Sequence, residues 1–364
     1  MNEFAMRYYS VLLLFSATVL YGQVKNSRFI ERPSFQTGAI FQRWTSGSEQ
    51  RLDEIVVPLL INYPVSERFS VSLLNTPTRA EARRANVSSK LTAFTDTKIS
   101  TALILGEERA LLNFGVSIPS GPKSLDAGET LVAQQITSHA LAMPTSYFGG
   151  GVEVSANLAA AIEAGKWVLG GSVGGVYKGA YVPISGLAKY RPGPEISVSV
   201  GFDRTLSERS RLFGDVGYTW YGKDQSGGVE VFQADGKIQF SLAGIWALER
   251  WQASFLLENR LKRKSPFALN TAFSISYGNE LDFSTELARE MNRDSALLAV
   301  AGVRIHGKNL NGAGDATIAS LGPGWRGAIS PSLQMEAVGR FSFGTLNGNR
   351  ILGGEVSLGF ALQF

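Results

Sequence analysis

Residues 352–364 read LGGEVSLGFALQF, and their alternation decides the fold. Val356, Leu358, Phe360, Leu362 and Phe364 share one face, while Glu355, Ser357, Gly359, Ala361 and Gln363 share the other. A period of two with one apolar face and one polar or tiny face describes a strand separating two different media. When one medium is hydrocarbon, every backbone N–H and C=O must be paired within the wall, and only a closed sheet does this with strands.

The pattern repeats along the chain. Strands are predicted near 35–44, 53–63, 67–76, 94–105, 109–119, 145–162, 165–179, 193–206, 211–223, 234–248, 250–263, 278–291, 294–306, 314–329, 332–345 and 351–364. This is an all-β chain forming a transmembrane antiparallel up-and-down barrel of about sixteen strands, with fourteen or eighteen as alternatives. Short polar connections such as Ser66-Glu67-Arg68 and Asn292-Arg293-Asp294 alternate with long ones, Pro77 to Ala93, Ser120 to Pro144, Ala180 to Pro192 and Lys223 to Gln233. Short turns on one rim and long loops on the other are the habit of membrane barrels. Phe267 to Glu290 is read as one membrane strand with an extension beyond the bilayer. Gly149-Gly150-Gly151 falls within a predicted strand, without the following helix that a phosphate-cradling loop needs.

The alternation also assigns facing. From Glu280 to Glu290, Leu281, Phe283 and Leu287 point one way, and Glu280, Asp282, Ser284, Glu286 and Glu290 the other. An acidic row cannot sit in lipid, so it is expected to line the lumen, joined by Lys237 and Gln239 opposite lipid-facing Ile238, Phe240 and Leu242. Aromatic girdles are expected from Tyr63, Trp167, Trp246 and Trp251 near the short turns, and from Trp44, Tyr177, Trp220 and Tyr221 near the long loops.

A net charge of +4 is mild and the basic residues are spread, which argues against nucleic acid as a partner. Two clusters, Arg79, Arg83 and Arg84, then Arg260, Lys262, Arg263 and Lys264, are expected in or beside long loops, solvated or in contact with phosphates. The two histidines make no catalytic pair: Ser138 and His139 point to opposite sides of an extended segment, and His306 closes a strand at a rim. No catalytic, cofactor or metal residues are assigned, and the chain is not expected to be an enzyme. Zero cysteines suit passage through an oxidising compartment.

Residues 1–22 are expected to be a cleaved signal peptide: Arg7 precedes an apolar run from Val11 to Leu20, too short to span a bilayer as a helix. A short periplasmic segment, 23–34, would lead into the barrel, 35–364.

An aromatic final residue, with Phe360 and Leu362 before it, resembles the signal by which outer-membrane barrels are recognised for assembly, implying the barrel assembly machinery as a partner. Phe94-Thr95-Asp96-Thr97-Lys98-Ile99-Ser100, Leu112 to Gly121 (LNFGVSIPSG) and Val356-Ser357-Leu358-Gly359-Phe360 are similar to the barrel family described as meta-pathway phenol-degradation or putative outer-membrane transporters, distantly grouped with long-chain fatty acid transporters. The resemblance implies an outer-membrane location among lipids and lipopolysaccharide, and passage of small hydrophobic or aromatic compounds. The chain departs from the fatty acid transporters in having too few residues before Phe35 for an N-terminal hatch. The segment from Ser120 to Pro144 is long enough to fold over or into the mouth instead. The expected function is a passive channel for small solutes; the alternatives are a closed structural or surface-interaction barrel and, third, a rim enzyme acting on lipid.

Overall fold

The computed structural model describes residues 32–47, 50–85, 87–107, 109–136, 139–145, 148–262, 267–268, 278–308 and 315–364. The expected leader, most of the segment after it, and Ser138, Arg263 and Lys264 lie outside these residues.

Sixteen strands among the described residues close into one antiparallel barrel. They are β1 (Ser34–Ser46), β2 (Gln50–Val56 continuing as Leu59–Ser66), β3 (Phe69–Asn75 and Thr78–Arg84), β4 (Val87–Ala93 and Thr97–Leu105), β5 (Ala110–Ile118), β6 (Glu153–Ala164), β7 (Trp167–Lys178) and β8 (Glu195–Ser207). They continue as β9 (Ser210–Tyr221), β10 (Lys237–Leu248), β11 (Trp251–Lys262), β12 (Glu280–Asn292), β13 (Ser295–His306), β14 (Ala316–Ser330), β15 (Leu333–Leu346) and β16 (Asn349–Gln363). Each pairs with its sequence neighbours, and β16 closes on β1 in continuous register from Ser34↔Gln363 to Ser46↔Ile351. The alternation at residues 352–364 is therefore the closing seam. Val356, Leu358 and Phe364 face outward and Glu355, Ser357, Gly359 and Ala361 share the inward side with Gln42 and Trp44.

The outer face carries an apolar band. Along β2, Ile55, Val57, Ile61, Tyr63 and Val65 are all exposed outward. Ten residues at ~3.3 Å each, tilted by ~40°, give a height of about 25 Å, that of a membrane barrel's apolar belt. Tyr63, Trp167 and Trp251 lie exposed towards the short turns, and Tyr177 and Trp220 towards the long loops. Trp246 stacks on Phe255, ring centroids 5.5 Å apart, over Gly244, whose missing side chain makes room for both rings.

Trp44 and Tyr221 correct the expected girdle, because both have inward parity. Trp44 is buried against the interior cluster, and Tyr221 lies opposite Glu195, an inward residue. The segment 77–93 is not a loop either: Thr78–Arg84 and Val87–Ala93 form a hairpin that carries the wall beyond the band, so Arg79, Arg83 and Arg84 stand on strand rather than loop. Pro58 and Pro77 mark the level where the inner and outer pieces of β2 and β3 separate, since proline supplies no ladder donor. Val57 N–H bridges the break to Pro77 C=O at 2.9 Å.

Three further expectations change. The strand expected at 145–162 begins at Glu153, and Gly149-Gly150-Gly151 lies before it in irregular chain, with Gly149 and Gly151 at positive φ. Lys223 to Gln233 is a hairpin, Lys223–Ser226 with Val229–Gln233. It joins Tyr190–Arg191 and Phe267–Ala268 in a separate four-stranded sheet on the long-loop side, so Phe267–Ala268 pairs outside the barrel wall, whose strand begins at Glu280, and residues 269–277 lie outside the described residues. Finally, Ala127–Ile136 within the long segment after β5 is a helix, α1.

Candidate functional site

The barrel interior is built by the inward half of each strand, and it divides into two arcs. From β3 to β8 the middle of the inner wall is small and neutral: Ser72 and Ser100 share a hydrogen bond of 2.8 Å, as do Ser172 and Ser199, among Gly115, Asn157, Ala159 and Gly174. From β9 to β16 it is charged. The first arc is lined by small side chains, whereas the second carries a series of ion pairs interrupted by a buried apolar patch of Ala288, Leu298, Val300 and Val338.

That series is largely neutralised within itself. Glu280 on β12 receives Arg260 at 3.0 Å and Lys262, both from β11. Asp282 faces His306 at 3.2 Å and Arg260 at 3.5 Å. Arg326 spans Glu286 at 3.1 Å and Glu336 at 2.6 Å, Arg340 meets Glu355 at 3.1 Å, and Gln42 donates to the same Glu355 at 3.1 Å. Pairs also stand at the ends of the neutral arc, Lys178 of β7 with Glu195 of β8 and Arg211 of β9 with Asp203 of β8, and within the charged arc Ser241 donates to Asp215. A cation held between two acids keeps one fixed geometry, so the series presents alternating signs rather than one.

The residues proposed from sequence as pore lining fall on this arc. Glu280, Asp282, Ser284 and Glu286 share inward parity with the partners just named, and Glu290 shares it at the short-turn end of β12. Lys237 and Gln239 lie on β10, registered with Lys262 and Arg260. Arg260 and Lys262, expected beside a loop, belong to the interior. The terminal trio faces the other way: Phe360 and Leu362 pair beside Thr37 and Phe35 on the outer seam, and Phe364 N–H donates to Pro33 C=O at 3.1 Å.

The mouth is occupied by the chain itself. The segment after β5 enters through a polar knot at the end of the wall: Asp96 accepts from Gly121 N–H at 3.2 Å and Gly150 N–H at 2.8 Å, and Asn75 donates to Thr95 C=O at 3.0 Å. Helix α1 then starts on a reciprocal capping box, in which Asp126 accepts from Glu129 N–H at 2.8 Å and Glu129 accepts from Asp126 N–H at 3.0 Å. Its Val132 and Ile136, with Leu125, Ala140, Leu141 and Met143, pack on inward Trp44, Leu52, Ala80, Leu91, Ile318 and Ile351. Leu131, by contrast, is exposed. Of the two places open to this segment, over the mouth or into it, the packing selects the interior.

Sequence reading missed Glu54, whose side chain is fully buried between inward Leu52 and Val56. The signal was present: an apolar inward face, Leu52, Val56, Ala80 and Leu91, needs a covering element inside the barrel. Outside the wall, Tyr190 donates to Asp224, which also accepts from Gly193 N–H at 2.7 Å. Burial and this acceptor push the Tyr190 phenol up, so it remains the donor that holds the outer sheet.

No protein-family model matches the chain, and no curated protein matches it. Solved structures do. An outer membrane channel from Pseudomonas putida F1 overlaps 94% of this chain and 100% of its own at 10% identity and TM-score 0.42. The CymD monoaromatic hydrocarbon channel overlaps 92% and 89% at 10% identity and TM-score 0.47, and the outer membrane protein OprD from Pseudomonas aeruginosa 93% and 96% at 9% identity and TM-score 0.47. Overlaps this loose carry no argument of their own. The architecture rests on the strand register and the outer apolar band.

Proposed function

We propose that this chain is a bacterial outer-membrane barrel that acts as a passive channel for small solutes, constricted at the mouth by its own folded-in segment. One observation carries the reading: the middle of the inward face carries charged, hydroxyl and small side chains, with apolar patches at the mouth and at Ala288, Leu298, Val300 and Val338, while the outward face is an apolar band. A wall of sixteen strands also encloses more volume than its side chains fill, so a polar lining is consistent with water along it. Sequence resemblance to the meta-pathway barrels turns the proposal towards small hydrophobic or aromatic compounds, which the exposed Leu131 and the neutral arc would tolerate.

On this reading the pore-lining residues are Lys237, Gln239, Glu280, Asp282, Ser284, Glu286 and Glu290. Phe360, Leu362 and Phe364 engage the assembly machinery after removal of residues 1–22, and the outer band meets lipid and lipopolysaccharide. The helix packed in the mouth favours a second reading, a closed structural barrel. His306 with Asp282 has no hydroxyl nucleophile placed with it among the described residues, so rim catalysis has no comparable support.

Single-channel conductance of the refolded chain in a planar bilayer, with and without residues 121–143, separates the two readings. Steps in the full chain establish the channel. Silence in the full chain with conductance in the deletion makes the segment a plug, and silence in both overturns the channel.

A further inference from the structure

Beyond the apolar band, the outer face of β1 to β4 concentrates positive charge. In register across these strands, Arg43 lies opposite Asp53, Asp53 opposite Glu81, and Glu81 opposite Lys90. One step further from the membrane Arg51 lies opposite Arg83, and one step nearer Arg79 lies opposite Ile55. All have the outward parity of Ile55, since their strand neighbours Leu52, Glu54, Ala80 and Leu91 are buried inside.

The two carboxylates are placed as braces. Asp53 accepts from Arg43 Nε and Arg51 Nε, each at 2.7 Å, and Glu81 pairs with Arg83 and accepts from Ser88 Oγ at 2.8 Å. The acids are covered, with side chains 15% and 17% exposed, whereas the Arg43, Arg51 and Arg83 side chains are 44%, 34% and 50% exposed. Arg79 and Lys90 are exposed as well. Five cations against two covered acids leave an excess of positive charge facing out. Strands ~4.8 Å apart, with same-face residues ~7 Å apart along each, hold the guanidinium forks in a fixed array.

The level of the array says what would meet it. Phe41, Ile55 and Val356 form the adjoining outward level, where the band begins, and the Arg43 guanidinium lies 5.3 Å over the Phe41 ring. A ligand reaching this surface from the membrane has acyl chains against Phe41 and Ile55 and its headgroup among the arginines. Rigid guanidinium forks at that height suit phosphate, which accepts two parallel N–H donors from each.

We infer that the outer face of β1 to β4 is a binding site for a phosphorylated glycolipid headgroup of the surrounding leaflet. The inference rests on the membrane orientation proposed above but not on conduction, because the lumen lies on the other side of the wall. The site stands on regular strand, so the lipid meets a preorganised surface.

The test uses the refolded full chain in detergent with three probes: diphosphorylated lipid A, its fully dephosphorylated form, and inorganic phosphate. Lipid retained per folded barrel is read by native mass spectrometry for wild type and for the combined Arg43→Gln, Arg51→Gln, Arg79→Gln and Arg83→Gln variant. Wild type should retain the diphosphorylated form, and the variant should bind it about tenfold or more weakly while keeping heat-modifiable migration and conductance. The single variant Arg79→Gln, which breaks no ion pair seen here, should show a smaller loss and covers the case in which the combined variant does not fold. Wild-type retention by the combined variant, or by Arg79→Gln where the combined variant does not fold, or equal retention of the dephosphorylated lipid by wild type, overturns the site. Displacement by millimolar inorganic phosphate overturns its assignment to a lipid. Loss of wild-type conductance with lipid retention intact removes the channel reading and leaves this one standing.

Discussion

Trp44 lies over Gly353, its cross-strand partner at the seam where β1 closes on β16. A methyl group added at Gly353 would come within 2.6 Å of the indole ring, and the ring is confined by the helix-bearing segment on its other side. Gly353→Ala should therefore cost about 1–3 kcal/mol through overpacking. Urea unfolding of the refolded barrel in micelles measures this, and adding Trp44→Phe should recover part of the loss. An uncoupled double variant would show that the ring does not rest on Gly353.

How much of this was legible beforehand follows from such pairs. Alternation at Glu355, Ser357 and Gly359 showed an inward face, and the acids of β12 showed another, because charge and hydrocarbon exclude each other. Trp44 gave the wrong side because an aromatic near a strand end fits a girdle or a buried interior equally well. Only the covering helix distinguishes them. Ala80, Ala82 and Leu91 misled for the same reason: strands of a hairpin beyond the membrane, covered inside and charged outside, look like a polar loop. Glu280, Asp282 and Glu286 could be placed in the lumen from parity, but their partners Arg260, His306 and Arg326 come from other strands, and register is not written in alternation.

Arg326 holds Glu286 and Glu336 together on the inner wall. Arg326→Gln leaves two partly covered acids near each other with no cation between them. A loss of about 1–3 kcal/mol is expected, because unpaired acids keep their desolvation cost. The local sign also becomes negative. If the pore conducts, the reversal potential under a salt gradient should shift towards cation preference, and it should return when Glu336→Gln is added. An unchanged reversal potential would place this pair away from the conducting path.

Val132 is wholly buried between α1 and the inner wall. Val132→Asp puts a carboxylate there without a cation to meet it, a penalty of several kcal/mol that the segment can avoid by leaving the mouth. The barrel register does not depend on this contact, so heat-modifiable migration should persist while conductance rises towards that of the 121–143 deletion. Conductance at the wild-type level would mean that the segment does not constrict the path.

Phe283 and Ser284 are neighbours on β12 with opposite surroundings, and the pair isolates the medium from the backbone. Phe283 is exposed on the outer band, its ring stacked 6.4 Å from Phe255, while Ser284 faces inward, registered with Leu256 and Gly302. Phe283→Arg moves a charge into hydrocarbon and should cost roughly 2–4 kcal/mol, with a matching fall in assembled barrel. Ser284→Arg adds the same side chain one residue along, facing a lumen that already holds Arg304 and Arg260, so folding should be affected far less and any pore should narrow. The comparison is made by equilibrium unfolding in lipid vesicles and by yield of heat-modifiable protein. Equal losses from the two variants would contradict a wall with lipid on one side and a wet interior on the other, because strand, depth and added charge are otherwise shared.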